Sequence, residues 1–403
     1  MELRTTSLLA FIFLSGWACR QAPPEIDTAF YEALQEKLIL AQAGDTITLP
    51  PGTFELDRPL SLDGVAGVTI RGAGMDRTIL SFRGQRAGAE GLRIIDADSV
   101  TVEDLTIRDS RGDALKLQDC LGVTLRRVNT TWSGGADEGN GAYGLYPVAC
   151  TDVLIEECTA SYASDAGIYV GQSRNIIVRR CRAFGNVAGI EIENSTHAEV
   201  YDNVAENNTG GILVFDLPDL PAGNGSTCRV YRNRIRENNH ANFAPAGNIV
   251  GTVPPGSGLI LLAAKNVEVF DNEILGHKTV GLSIASYYLT ETPWNSEDYD
   301  PYSYDIYVHD NTFARKRAIP DISRRFGQMV NMLFPGRPQD ILYDGILDEN
   351  RRGSNPMNIC IRQDQADLRF ANIDAANDFD AISHDLRPYD CTLQVETEVS
   401  HLQ

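Results

Sequence analysis

GLYPVACTDVLIEEC (residues 144–158), GIYVGQSRNIIVRRC (167–181), GIEIENSTHAEVYDN (189–203) and GILVFD (211–216) share one grammar. Each opens on a Gly and alternates β-formers in and out. A polar corner follows, then a second alternating stretch that, where complete, ends on a Cys or Asn. The first apolar residues after the glycines, Leu145, Ile168, Ile190 and Ile212, lie 23, 22 and 22 residues apart. A fixed period with strand-type alternation inside it is the signature of a stacked β solenoid: one unit cannot bury its apolar face alone, so its neighbours must.

The rhythm extends in both directions. An inward residue is followed eight positions on by another, and five after that by a corner residue. Leu92, Val100 and Leu105 obey this, as do Leu115, Val123 and Val128, and Leu259, Val267 and Asn272. Asn203, Asn233, Asn272 and Asn311 fall in one column, where stacked amides can bond to the turns and to one another. Ahead of the rungs, Asp27 is a candidate N-cap for an amphipathic helix through Ala41, with Phe30, Leu34, Leu38 and Ile39 on its apolar side. Such a helix would cap the exposed end of a solenoid. After Asn311 the rhythm is expected to stop. A helix over 321–334 and a looped tail then form a C-terminal cap over 314–403.

With 403 residues and a 43% hydrophobic content, the chain can bury a large core, and a solenoid can do so as one domain over 27–313. The net charge of −20 argues against nucleic acid as a partner. The first residues read as an export signal: Arg4 in a short basic region, an apolar run at 8–14, then Gly16 and Ala18 before Cys19. LSGWAC resembles a bacterial lipoprotein signal, which implies cleavage after residue 18, acylation of Cys19, a linker over 19–26 and a periplasmic or outer-membrane-anchored protein. The membrane is then reached only through that anchor, and a monomer is expected. A plain secretory signal is the alternative. Among the other cysteines, Cys120 stacks on Cys150 and Cys158 on Cys181, within reach of oxidation in an exported protein. Cys360 and Cys391 are expected to staple the tail, and no Cys/His spacing suggests zinc.

Insertions at 132–141, 216–226, 238–258 and 285–304 flank the same rungs. A cleft is therefore expected along the outer face of the first-strand sheet. Alternation puts Lys116, Tyr146, Tyr169, Glu191, Leu213, Ile260 and Ser283 outward there, with Asp113, Tyr143, Asp165, Gln172, Arg174, Glu193, His197 and Asp216 near its edges. Aromatics beside carboxylates and a cation suit sugar rings. Asp165, Tyr169 and Glu191 are the candidate catalytic groups. Lys116, Tyr143, Tyr146, Gln172, Arg174, Glu193 and Asp216 are the candidate substrate contacts. Paired carboxylates can do acid–base chemistry or hold Ca²⁺. The bland alternative is a solvated stripe with cross-rung tyrosine pairs that only stabilise the sheet. No histidine stands out as a catalytic group.

The stretch AGDTITLPPGTFEL (43–56) resembles the opening rung of pectate-lyase-like right-handed β-helix proteins. The rungs quoted above, with TGGILVFDLP (209–218) and the tail, resemble an exported bacterial family of parallel β-helix repeat proteins. More broadly they are similar to carbohydrate-binding and sugar hydrolase or lyase proteins and to NosD-type periplasmic accessory proteins. The resemblance implies an all-β, right-handed single-stranded parallel β-helix with a helical N-terminal cap and a helix-and-loop C-terminal cap. It lends no catalytic residues. DPYSYD (300–305) stands where mannuronan epimerases carry a DPH-type triplet, and the missing His argues against that activity. Two functions follow: binding of a polysaccharide, with cleavage or epimerisation, or a non-catalytic envelope scaffold docking a redox, cytochrome-like or other exported partner.

Overall fold

The computed structural model describes residues 25–315 and 318–395. The export signal, Cys19 and most of the linker lie outside them. No described helix is long and apolar enough to cross a membrane.

The chain winds into three columns of parallel strands. The first column is an 11-stranded sheet. Its inward residues stack in register as Leu60, Leu92, Leu115, Leu145, Ile168, Ile190, Ile212, Leu259, Leu282, Ile341 and Phe370. Each is buried, and full burial of one such side chain is worth about 1.5–3 kcal/mol. The other two columns form one 19-stranded sheet, because the strands Val100–Arg108 and Leu121–Thr131 run through the corner without a break. Elsewhere the residue after the expected corner position opens a third, three-residue strand such as Thr159–Ser161 or Val204–Glu206.

That corner is a hydrogen-bonded device. Asp202, Arg232, Asp271 and Asp310 precede it with φ of 56°, 52°, 53° and 52°, left-handed backbone that an L-residue adopts at a cost. The asparagines that follow offset it. Asn203, Asn233 and Asn272 donate from Nδ2 to the Oδ1 of the next rung's Asn at 3.0, 3.0 and 2.9 Å. Asn311 N donates to Gln363 Oε1 at 2.9 Å and closes the column. Earlier in the column stand Cys158 and Cys181, which remain thiols, as do Cys120 and Cys150. Cys158 Sγ accepts from Val128 N at 3.5 Å, the place an amide oxygen takes elsewhere. Cys360 and Cys391 are joined in a disulfide.

Helix α1 (Thr28–Ile39) plugs the first rung. Asp27 accepts from Phe30 N at 3.4 Å, and Leu34 and Leu38 are buried. Gln35 exchanges two hydrogen bonds of 3.0 Å with the Ser61 backbone, supplying partners for an end strand that has no preceding rung. Ile39 departs from the expectation: it lies past the capped surface and is 70% exposed.

At the other end the solenoid outlasts its sequence rhythm. Gln339–Tyr343 and Phe370–Asn372 extend the first column, and Ile359–Arg362 the second. The expected stop after Asn311 is thus corrected. The tail's long loops hide the period, and its strands pair none the less. Helix α2 (Arg325–Leu333) lies within the expected helical stretch, with Val330 buried against Val280 and Leu342.

Candidate functional site on the covered face

The outward residues of the first column stand where alternation put them. Lys116 pairs with Tyr146, Tyr169 with Glu191, Glu191 with Leu213, Leu213 with Ile260, and Ile260 with Ser283. The open cleft does not exist along most of this row. Tyr169, Glu191, Leu213 and Ser283 are 3, 1, 0 and 1% exposed. Leu213, Phe215, Ile260 and Leu262 form an apolar outer stripe, and the insertions fold down onto it with Leu217, Val250, Val253, Tyr287 and Tyr299 as a second core. An apolar stripe of that length is more stable covered than wet.

The Lys116 end stays half-open. The rings of Tyr143, Tyr146 and Tyr169 form a triangle with centroids 4.4, 4.5 and 5.1 Å apart. Lys116 Nζ sits 5.2 Å over the Tyr146 ring, a cation–π contact. Tyr143, Tyr146, Lys116 and Asp113 are each partly exposed.

Behind the triangle lie three buried carboxyls. Tyr169 donates its hydroxyl to Glu193 Oε1 at 2.5 Å. Gly171 permits this, since a Cβ there would lie 2.2 Å from the Tyr169 hydroxyl oxygen. Asp165 Oδ2 accepts from Asn248 Nδ2 at 3.3 Å, Asn248 being an exposed residue of the strap 238–258. Glu191 Oε2 is buried with no partner. Burial, then the Glu193 charge, pushes Asp165 up to about 8. Burial, opposed by the Tyr169 hydrogen bond, leaves Glu193 at about 7. Burial and its two acidic neighbours hold Glu191 well above the carboxylate range. Asp113 is raised to about 6 by burial against the pull of Lys116. Carboxyls that cannot all ionise together share protons near neutrality. Burial also raises Tyr143 and Tyr169, so Tyr169 acts as a locked hydrogen-bond donor and is no base.

Four expected members fall outside this group. Arg174 opens a second-column strand, paired with Thr151 and Thr196, and is exposed. His197 lies on the same column. Alternation misplaces both because the turn after the first strand is a single left-handed residue, Gln172 at φ 52° or Asn194 at 46°. Gln172 is spent on that turn, and its Oε1 accepts from Ala222 N at 3.4 Å. Asp216 is consumed by Lys265, whose Nζ lies 2.5 Å from its Oδ2, both side chains being buried. Sequence reasoning misses Lys265 because it begins a second-column strand, away from the row where alternation applies. Among the described residues no group of three or more His, Cys, Asp or Glu could hold a metal ion.

A family model described as "Right handed beta helix region" matches residues 90–221. The chain has the right-handed parallel β-helix fold. No curated protein matches it significantly. Among solved structures, the β-helix is similar to the A-module of the Azotobacter vinelandii mannuronan C-5 epimerase AlgE4, with 15% identity over 86% of this chain and 93% of that one and a TM-score of 0.50. An alginate lyase from Paenibacillus sp. gives 14% identity over 72% and 94%, TM-score 0.45. A Thermotoga maritima exopolygalacturonase gives 10% over 86% of each chain, TM-score 0.46. At 15% identity the likeness to the A-module speaks for the fold alone.

Proposed function

We propose that this β-helix protein is exported, binds carbohydrate at the half-open tyrosine edge and acts on it by acid–base chemistry. The observation that carries the reading is the adjacency of Tyr143 and Tyr146, the latter under Lys116, to Asp165, a carboxyl raised to about 8. Apolar faces of a sugar ring stack on tyrosines, and a carboxyl still protonated at neutral pH is a general acid in waiting. Asp165 is the proton donor in this scheme. Glu191, buried with an unpartnered oxygen, keeps its proton behind it. Glu193 and Tyr169 position them. Entry requires the Asn248 strap to lift from Asp165. Lys116 serves this edge without the Arg174 that the sequence places beside it. That favours neutral glycans over polyuronates, the latter also repelled by a chain of charge −20. The similar A-module belongs to a mannuronan C-5 epimerase, which is in keeping with carbohydrate as the class.

A glycan array probed with the mature protein, with and without Ca²⁺, tests this, using Tyr146→Ala as the control. Binding of a neutral glycan that is lost in the variant, followed by product formation that is lost in Asp165→Asn, is the expected result. Binding that survives Tyr146→Ala sinks the site. The sealing of Glu191 favours a second reading, a non-catalytic envelope scaffold, and binding without any product would decide for it.

A further inference from the structure

The cover over the first column parts beyond Ile260 and Ser283. It leaves a groove of ≈ 670 Å³ whose floor is those two residues and whose walls are the strap around Val253, the turn Tyr287–Thr290, helix α2 and the tail near Phe379. That volume is in the range of sites that hold a small molecule, on the order of 300–1,000 Å³. It lies rungs away from the tyrosine edge and shares no lining residue with it.

We propose that this groove binds a single-chain apolar carboxylate of the long-chain fatty acid class. Three independent features point to it. The first is the wall: Phe326, Met329 and Met332 face Tyr288 and Leu289 across the groove, and Met332 and Tyr288 are 66% and 41% exposed. Thioethers and ring faces adapt to a flexible alkyl chain, whereas a sugar would find few hydroxyl partners there. The second is the floor: Phe215, Ile260 and Leu262 line it and the Ser283 hydroxyl is sealed beneath, so an occupant meets carbon surface there.

The third is charge. Arg324 lines the groove, and its guanidinium donates to the carbonyl oxygens of Gly251 at 2.6 Å and Asn242 at 3.3 Å. No carboxylate among the described residues pairs with it, whereas its neighbour Arg325 is taken by Glu291. A half-buried cation balanced only by neutral carbonyls selects an anion. The alkyl chain therefore runs along the methionine wall, and its carboxylate turns toward Arg324. A long-chain alcohol would fill the same wall and leave the arginine uncompensated.

The test uses the full chain and a dansyl-labelled undecanoic acid as the fluorescent probe, displaced by hexadecanoate or by hexadecanol. Saturable emission with Kd on the order of 1 μM, and displacement by hexadecanoate at about tenfold lower concentration than by hexadecanol, is the expected result. Arg324→Gln should abolish that preference. Because Arg324 also holds the strap, Met332→Glu is the second variant: it is exposed, leaves the fold intact, and should weaken the probe about tenfold or more. Absence of saturable emission, equal displacement by the alcohol, or unchanged binding in Met332→Glu overturns the proposal. Glycan binding at the tyrosine edge should be untouched by Met332→Glu, so the two sites fail separately.

Discussion

Asn238 donates from Nδ2 to Nε2 of His277 across 3.2 Å, and the imidazole ends a second ladder that runs through Asn186, Asn208 and Asn238. With Nε2 as acceptor, the ring's proton sits on Nδ1, which is buried without a partner. Burial pushes His277 down to about 3. The folded pKa is below the unfolded one, so this stabilisation is complete above about 6.5 and is lost as pH falls from there toward 3. At pH 4 the loss is about 3 kcal/mol. Urea midpoints of wild type and His277→Asn between pH 7 and 4 check it: the wild type should lose more, and parallel curves would contradict the assignment.

The acidic cluster runs the other way. Glu193 and Asp165 have folded pKa values of about 7 and about 8, above those of the unfolded chain. Their favourable contribution is present below about 4 and disappears as pH rises through 7 and 8. Glu191→Gln removes a carboxyl that must hold its proton to stay buried. It should stabilise the protein by about 1–2 kcal/mol at pH 8 and have little effect at pH 5. Denaturant unfolding at the two pH values reads this, and an equal effect at both would refute it.

Lys265→Met should cost about 3–5 kcal/mol, because it leaves Asp216 buried without its cation. Adding Asp216→Asn should return much of that loss. A double-mutant cycle in urea measures the coupling, and strictly additive losses would show that the pair is not the cause.

Asn233 gives and accepts within the first ladder, donating to Val200 O at 2.8 Å as well as to Asn272. Asn233→Ala strands several buried groups and should cost about 2–4 kcal/mol. An exposed polar side chain outside the ladders has no such consequence. Glu36→Ala, on the exposed side of helix α1, is therefore the control and should stay within about 0.5 kcal/mol. Thermal melts distinguish the two, and equal shifts would deny the ladder its role.

Much of the architecture was readable because a solenoid repeats its instructions. The Leu145, Ile168, Ile190 and Ile212 steps set the register, and Asn203 to Asn311 announced their own ladder. The second ladder is hard to read in the sequence because its members are followed by turns of different length and because it ends on His277, which does not look like an asparagine. The last strands, 339–343 and 359–362, were invisible for a related reason: long insertions broke the period that made the earlier rungs legible.

The candidate site divides along the same line. Alternation determined that Lys116, Tyr146, Tyr169 and Glu191 share one outward row, since side chains on a strand alternate faces whatever surrounds them. Only the tertiary structure decided that most of this row is buried, that Arg174 belongs to another column, and that Asp216 is tied to Lys265. Those outcomes depend on how insertions dozens of residues away pack onto the apolar stripe of Leu213 and Ile260. Short-range periodicity determines which way a side chain points, and long-range packing decides whether water ever reaches it.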